Sequence, residues 1–282
     1  MPAPTLEIAN LQTYFYVQDG VRKALDGISL TVQKGETLGV VGRSGSGKTI
    51  LARSIMGLIN PPGRIVAGKI CFKGRDLVGL PEEELRQIRG SEITLIVAPA
   101  RARLNPMVNV GNQMVNVIRG KQAVSKKEAM ERALDLLVSV GMADPRRTRG
   151  MFPSELSGGM CQRIIIAMAL ANNPTLILAD EPISGLDVTI QLQVLDLMVE
   201  LVKQRGASML LMTRDLGVVA HYAQRIAVLS EGRVVEDKET RRFFANPEDP
   251  HSKELLDAAF AARGDPSDSD QKPPTAPRRM VE

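Results

Sequence analysis

Along most of the chain, short apolar runs alternate with stretches in which apolar residues recur every three or four positions. Residues 6–11, 28–32, 69–73, 93–97, 175–179, 208–213, 226–229 and the pair Val234-Val235 read as strands. Segments 49–58, 109–118, 125–140, 157–171, 188–203 and 216–222 carry helical spacing. Their order is informative. Strands cluster before residue 99, helices dominate 99–171, and strand–helix alternation then returns. Such alternation predicts an α/β fold, a mostly parallel sheet covered on both faces, with 99–171 as a helical insertion. Gly20 and Gly27 read as early turns, Glu231-Gly232-Arg233 as a turn into the last strand, and Ser125 with Glu128 as a capping box. From Gly264 onward the chain is rich in Pro, Asp, Ser and Arg, the composition of a disordered tail. The plan is a core unit at 1–245, a C-terminal helical extension at 246–263 and a tail at 264–282.

Composition changes this picture little. A chain of 282 residues is long enough for a full core and one or two domains. The 36 cations and 32 anions are interspersed and aromatics make up only 3%, so no aromatic-interleaved basic stripe points to nucleic acid. Cys71 and Cys161 lie far apart and form neither a metal pattern nor a disulfide framework, which favours a reducing setting. His221 and His251 lack metal-like neighbours. The apolar stretch 164–171 is too short to span a bilayer, and Met1-Pro2-Ala3-Pro4 has no signal-peptide character. Work at a membrane would therefore proceed from the cytosolic side through a partner.

Candidate chemistry concentrates in three places. Gly42-Arg43-Ser44-Gly45-Ser46-Gly47-Lys48-Thr49 is a complete G-x-x-x-x-G-K-[ST] loop between a strand and a helix. Its glycines let backbone N–H groups wrap a polyphosphate, Lys48 reaches the β- and γ-phosphates, and the Thr49 hydroxyl can ligate Mg²⁺. The anion would sit at a helix N-terminus. Leu176-Ile177-Leu178-Ala179 is an apolar strand ending in Asp180 and Glu181, one carboxylate placed to hold the metal and the next to polarise water. Leu156-Ser157-Gly158-Gly159-Met160 opens a helix that Ser157 can cap and whose first-turn N–H groups an anion could approach.

These motifs, with Ser184-Gly185-Leu186-Asp187, occur in the order and spacing of ATP-binding cassette (ABC) ATPases, and the resemblance covers residues 5–260. Asn10-Leu11-Gln12-Thr13-Tyr14-Phe15, Leu104-Asn105-Pro106, Asp187-Val188-Thr189-Ile190-Gln191, Asp215-Leu216-Gly217-Val218-Val219-Ala220 and Pro250-His251-Ser252-Lys253-Glu254-Leu255-Leu256 resemble the oligopeptide/dipeptide (and nickel) importer branch. The resemblance implies a P-loop NTPase core with an antiparallel β subdomain and a helical insertion. It implies two cassettes packed head to tail around two ATP molecules, driving a permease. Lys48 and Thr49 would bind phosphate and Mg²⁺, Asp180 would hold the metal, and Glu181 would be the general base. Phe15 would stack on adenine, with Tyr14 and Tyr16 competing for that role. Ser157, Gly158 and Gly159 would contact the partner's ATP, Asp187 would sit at the dimer seam, and residues near 98–120 would face the permease. The implied partners are two transmembrane permease subunits, a second cassette and, indirectly, an extracytoplasmic solute-binding protein, at the cytoplasmic face of the inner membrane.

The chain departs from this pattern at two positions. Where the family has a Gln after strand 93–97, this chain has Ala98, which has no amide. Where the family has a His after strand 208–213, it has Arg214, whose guanidinium stays charged and cannot accept a proton. The expectation is a site that binds MgATP but turns over slowly, paired with a sister cassette rather than a second copy. The alternatives are that Arg214 substitutes adequately, that Arg101 and Arg103 compensate, or that the chain is mainly a regulatory cassette. No cysteine follows Cys161, so an iron–sulfur site near the C-terminus is excluded.

Overall fold

The computed structural model describes residues 3–261. The expected tail at 264–282 lies outside them. Two sheets carry the fold. The first is antiparallel, with β1 (Leu6–Val17), β2 (Gly20–Val32), β4 (Gly63–Phe72) and β5 (Arg75–Asp76) in the order β2-β1-β4-β5. The second contains β3 (Thr37–Val41), β6 (Ile93–Val97), β7 (Leu176–Asp180), β8 (Ser208–Thr213), β9 (Arg225–Ser230) and β10 (Arg233–Glu239), in the order β10-β9-β3-β8-β7-β6. The five strands from β9 to β6 pair in parallel, and β10 adds an antiparallel edge.

Among the described residues ten α-helices surround the sheets: α1 (Lys48–Ile55), α2 (Glu82–Ile88), α3 (Val110–Arg119), α4 (Lys126–Ser139), α5 (Pro145–Thr148), α6 (Gly158–Leu170), α7 (Val188–Gln204), α8 (Leu216–Tyr222), α9 (Thr240–Ala245) and α10 (Pro250–Ala261). The parallel strands are mainly apolar along their middles because both of their faces are covered. Leu176, Leu178, Leu210 and Met212 point into a core shared with α1 and the antiparallel sheet. Their neighbours Ile177, Ala179, Met209 and Leu211 point into a second core under α3, α4, α6 and α7. This alternation is the period of two that a strand imposes. The helical insertion is the run α3–α6 between β6 and β7.

Three local expectations need correction. Gly27 is not a turn but a bulge inside β2: Leu11 pairs with Ile28 and Gln12 with Asp26, leaving Gly27 unpaired at φ +91°. Strands β1, β2 and β4 run longer than their apolar cores, because their ends are half-exposed and carry polar residues. Ser125 caps α4 by accepting from the Glu128 N–H, but the reciprocal half of a capping box is not formed.

Candidate functional site

Strands β3, β7 and β8 all end at the same edge of the parallel sheet, and the groups of interest are gathered there. After β3 the chain turns through residues 42–47 into α1. Gly47 takes the N-cap at φ +114°, a conformation a side chain would oppose. Lys48 is only 6% exposed, and its ammonium donates to the carbonyls of Gly42 (2.6 Å) and Arg43 (3.1 Å). Burial pushes the Lys48 pKa down, against the Glu181 and Asp180 carboxylates that push it up. Distant segments brace the loop from outside. The Gly232 N–H donates to the Ser46 carbonyl at 3.0 Å, and Arg43 pairs with Glu254 of α10 at 3.0 Å.

Asp180 closes β7 and is 6% exposed. One carboxylate oxygen, Oδ2, accepts from the Thr49 hydroxyl at 2.7 Å. The other, Oδ1, is buried without a partner. An orphaned carboxylate oxygen beside a hydroxyl at a phosphate loop is the donor set a small hard cation takes up, so the residues fit Mg²⁺. Glu181 follows in a left-handed conformation, φ +49°, which costs a residue with a side chain about 1 kcal/mol. Its N–H is tied to the Met212 carbonyl at 2.8 Å. Its carboxylate is engaged on both oxygens: Arg214 Nε lies 3.3 Å from Oε1, and the Thr213 hydroxyl donates to Oε2 at 3.3 Å.

A cleft of about 750 Å³ joins these groups, lined by Phe15 as well as by Lys48, Thr49, Asp180, Glu181 and Arg214. Ser44, Gly45 and Gly47 also line it, while Gly42, Arg43 and Ser46 build the loop from behind. Of the three competing aromatics, Phe15 is the one in the cleft. The Tyr14 hydroxyl donates to Asp26 (2.6 Å) with the Gln12 side-chain oxygen 3.1 Å away, and Arg64 lies 4.3 Å over the Tyr16 ring. The Tyr14 hydroxyl and then Arg233 hold the Asp26 carboxyl down at about 2. Sequence reasoning missed Val17, Arg22, Lys23 and Ala24 of the β1–β2 hairpin, and Glu231 and Gly232 of the β9–β10 turn, all of which line the cleft. The turn was legible as a turn, but nothing local placed it against the phosphate loop.

Ser157, Gly158, Gly159 and Asp187 lie outside this cleft. Ser157 caps α6, accepting from the Met160 N–H at 3.2 Å, and is exposed together with Gly158. A Cβ on Gly159 would stand 2.7 Å from Ile190 Cγ2, so this glycine sets how closely α6 packs on α7. Asp187 is the exposed N-cap of α7 and makes no side-chain capping bond; Val188 beside it is 73% exposed. Ala98 follows β6 and does not line the cleft. Arg101 and Arg103 do not line it either: Arg101 donates to the Leu156 carbonyl, and Arg103 is exposed. Compensation by those two arginines is therefore not supported by their placement.

The family model described as ABC transporter matches residues 25–184. A probable peptide ABC transporter ATP-binding protein of Sinorhizobium fredii is 42% identical over 90% of this chain and 76% of its own length. An oligopeptide transport ATP-binding protein of Bacillus subtilis is 44% identical over 89% of this chain and 70% of its own. Among solved structures, a dimeric ATP-binding cassette in a post-hydrolysis state bound to ADP and Pi superposes with TM-score 0.75 at 28% identity, covering 84% of this chain and 99% of that one. With a phosphate loop, a metal-fitting Asp180 and an adjacent carboxylate in one cleft, the chain belongs to the ABC transporter family as an ATPase that binds ATP with Mg²⁺.

Proposed function

We propose that this chain is the energy-coupling cassette of a peptide importer, working from the cytoplasmic face of the inner membrane, and that its own ATP site hydrolyses slowly. The names of the relatives support peptides as the substrate class. Two permease subunits and an extracytoplasmic solute-binding protein complete the assembly, and a sister cassette supplies the second half of the ATP sandwich. No helix among the described residues is long and apolar enough to cross a membrane, which fits peripheral attachment through the permease.

The division of labour follows from the residues. The loop N–H groups and Lys48 hold the phosphates, and Phe15 holds the base. Asp180 and Thr49 would hold Mg²⁺, which neutralises charge developing on the phosphate oxygens. Glu181 would accept the proton of the attacking water. The slow-site reading rests on one observation: both Glu181 oxygens are already engaged, by Arg214 and by Thr213. A base must turn a lone pair to the water within hydrogen-bond reach, and the contacts on both oxygens compete for that position. Ala98 supplies no amide to orient the water. Loss of one such orienting group costs on the order of 10²-fold in rate. The signature surface Ser157–Gly159 remains intact for the partner's nucleotide.

The test is MgATP turnover of the purified chain beside its nucleotide affinity, repeated with Arg214→His and Ala98→Gln together. Tight binding with near-zero turnover, rescued by the double change, is the expected result. Brisk turnover of the unmodified chain would overturn the slow-site reading.

A further inference from the structure

In the β1–β4 ladder Phe15 stands opposite Gly63, and in the β1–β2 ladder it stands opposite Arg22. Directly opposed residues share a face of the sheet, so the ring has an arginine on one side and no side chain on the other. The ring leans onto the empty side. A Cβ built on Gly63 would lie 2.5 Å from Phe15 Cε1, 2.8 Å from Cδ1 and 2.9 Å from Cζ. The three nearest atoms to that position all belong to this one ring. Gly63 is buried although Pro61, Pro62 and Arg64 around it are exposed, so the ring is its cover. Backbone conformation does not explain the glycine, because Gly63 is not among the positive-φ residues. What position 63 requires is the absence of a side chain.

We propose that Gly63 is a positioning residue for nucleobase binding. Its empty face lets the Phe15 ring lie down on β4, which clears the end of the cleft over Arg22, Lys23 and Ala24 and fixes the plane on which a planar aromatic base stacks. A methyl group at 63 pushes the ring off β4 and into the space the base needs. The proposal rests on the reading of Phe15 as the adenine-stacking residue.

The test compares ligands with and without a base on the full chain. The ratio of MgATP affinity to magnesium tripolyphosphate affinity measures what the base contributes. Stacking of a base on an aromatic side chain is removed by alanine at a cost of roughly tenfold in affinity. Phe15→Ala is expected to lower the ratio by about that factor. Gly63→Ala is expected to lower it at least threefold, leaving tripolyphosphate affinity and melting temperature close to wild type. The chain contains no Trp, so Phe15→Trp gives a single emission reporter. Its quenching by ATP, and not by tripolyphosphate, should weaken when Gly63→Ala is added.

A wild-type ratio in Gly63→Ala overturns the proposal, as does an equal loss of both ligands, which would mark a general structural defect. If Phe15→Ala keeps the wild-type ratio, the stacking reading itself falls and Gly63 falls with it. If Phe15→Ala loses the ratio while Gly63→Ala keeps it, the Gly63 proposal falls alone. Should Gly63→Ala fail to fold, adding Phe15→Val removes the ring it meets and should restore folding. A double variant that still fails to fold refutes a clash with this ring.

Discussion

The phosphate loop and the signature loop are both glycine-containing turns that open a helix, and the fold treats them in opposite ways. The first is enclosed by its own chain. Lys48 bonds back to two loop carbonyls, Asp180 meets Thr49, Gly232 holds Ser46, and Glu254 reaches Arg43. The second is supported from one side only. Ser157 caps α6 and Gly159 packs on Ile190, while Ser157 and Gly158 face solvent, as do Asp187 and Val188 at the start of α7, the helix packed on α6. The same local geometry therefore makes a complete half-site in one place and an unpartnered surface in the other. A loop that finishes its site within the chain acts on binding by the monomer. On the proposed function, a loop that leaves its site open would act only when a second cassette arrives.

The largest effect that would break this comparison is on the enclosed loop. Lys48→Ala removes a buried cation that braces the loop carbonyls and, in the proposed site, would reach the phosphates. Losing charge-assisted bonds of this kind should weaken MgATP binding by about 10²-fold, read by titration of the isolated chain. Unchanged affinity would mean that the enclosed half-site does not need its own lysine.

The next effect tests the outer brace. Glu236 is 7% exposed and accepts the N–H groups of Glu248 and Asp249 at 3.0 and 3.1 Å, at the start of α10, with Lys238 at 2.9 Å. Burial by itself would raise this carboxyl; the neighbouring Ser252 hydroxyl, the two N–H groups and Lys238 outweigh it and bring the pKa to about 2. The folded pKa is thus depressed below the ordinary 4.5. Its stabilisation is complete above that value and is lost as pH falls towards 2. Glu236→Gln should cost on the order of 2 kcal/mol at pH 7 in urea unfolding, and the gap to wild type should narrow as pH drops below 4.5. A gap of equal size at pH 3.5 and pH 7 would show that charge at Glu236 does not hold α10.

The enclosed loop was legible in the sequence because its chemistry is local: eight consecutive residues, a strand before and a helix after. Asp180 and Glu181 were legible for the same reason. What surrounds them was not. Arg22 and Lys23 meet Glu231 and Gly232 because segments about 200 residues apart are joined by the Asp26 N–H donating to the Gly232 carbonyl at 2.8 Å and by Arg233 pairing with Asp26 at 2.7 Å, and no short-range pattern encodes that approach. The pairing of Arg214 with Glu181 joins the ends of β7 and β8, which are sequence-distant but register-adjacent. Helix α2, with Glu82, Glu83 and Glu84 after Pro81, carries a readable start signal, but its 7 residues are too few for helical periodicity to show. Gly27 was read as a turn because an isolated glycine marks a bulge as readily as a turn, and only the register decides.

The smallest effect separates the two loops most sharply. Ser157→Ala removes a hydroxyl that accepts one N–H at the start of α6, and a lost helix cap costs about 1 kcal/mol. The residue lies outside the nucleotide cleft, so MgATP affinity of the isolated chain should stay within twofold of wild type. Turnover of the two-cassette assembly should fall much further than that small stability loss explains, because in the proposed assembly the missing hydroxyl would face the partner's phosphates. The decisive measurement pairs monomer affinity with assembly turnover on one preparation. Weakened monomer binding would place Ser157 in the chain's own site, and unimpaired assembly turnover would leave its hydroxyl with the capping role alone. Either result would erase the distinction between a loop that completes its site and a loop that waits for a partner.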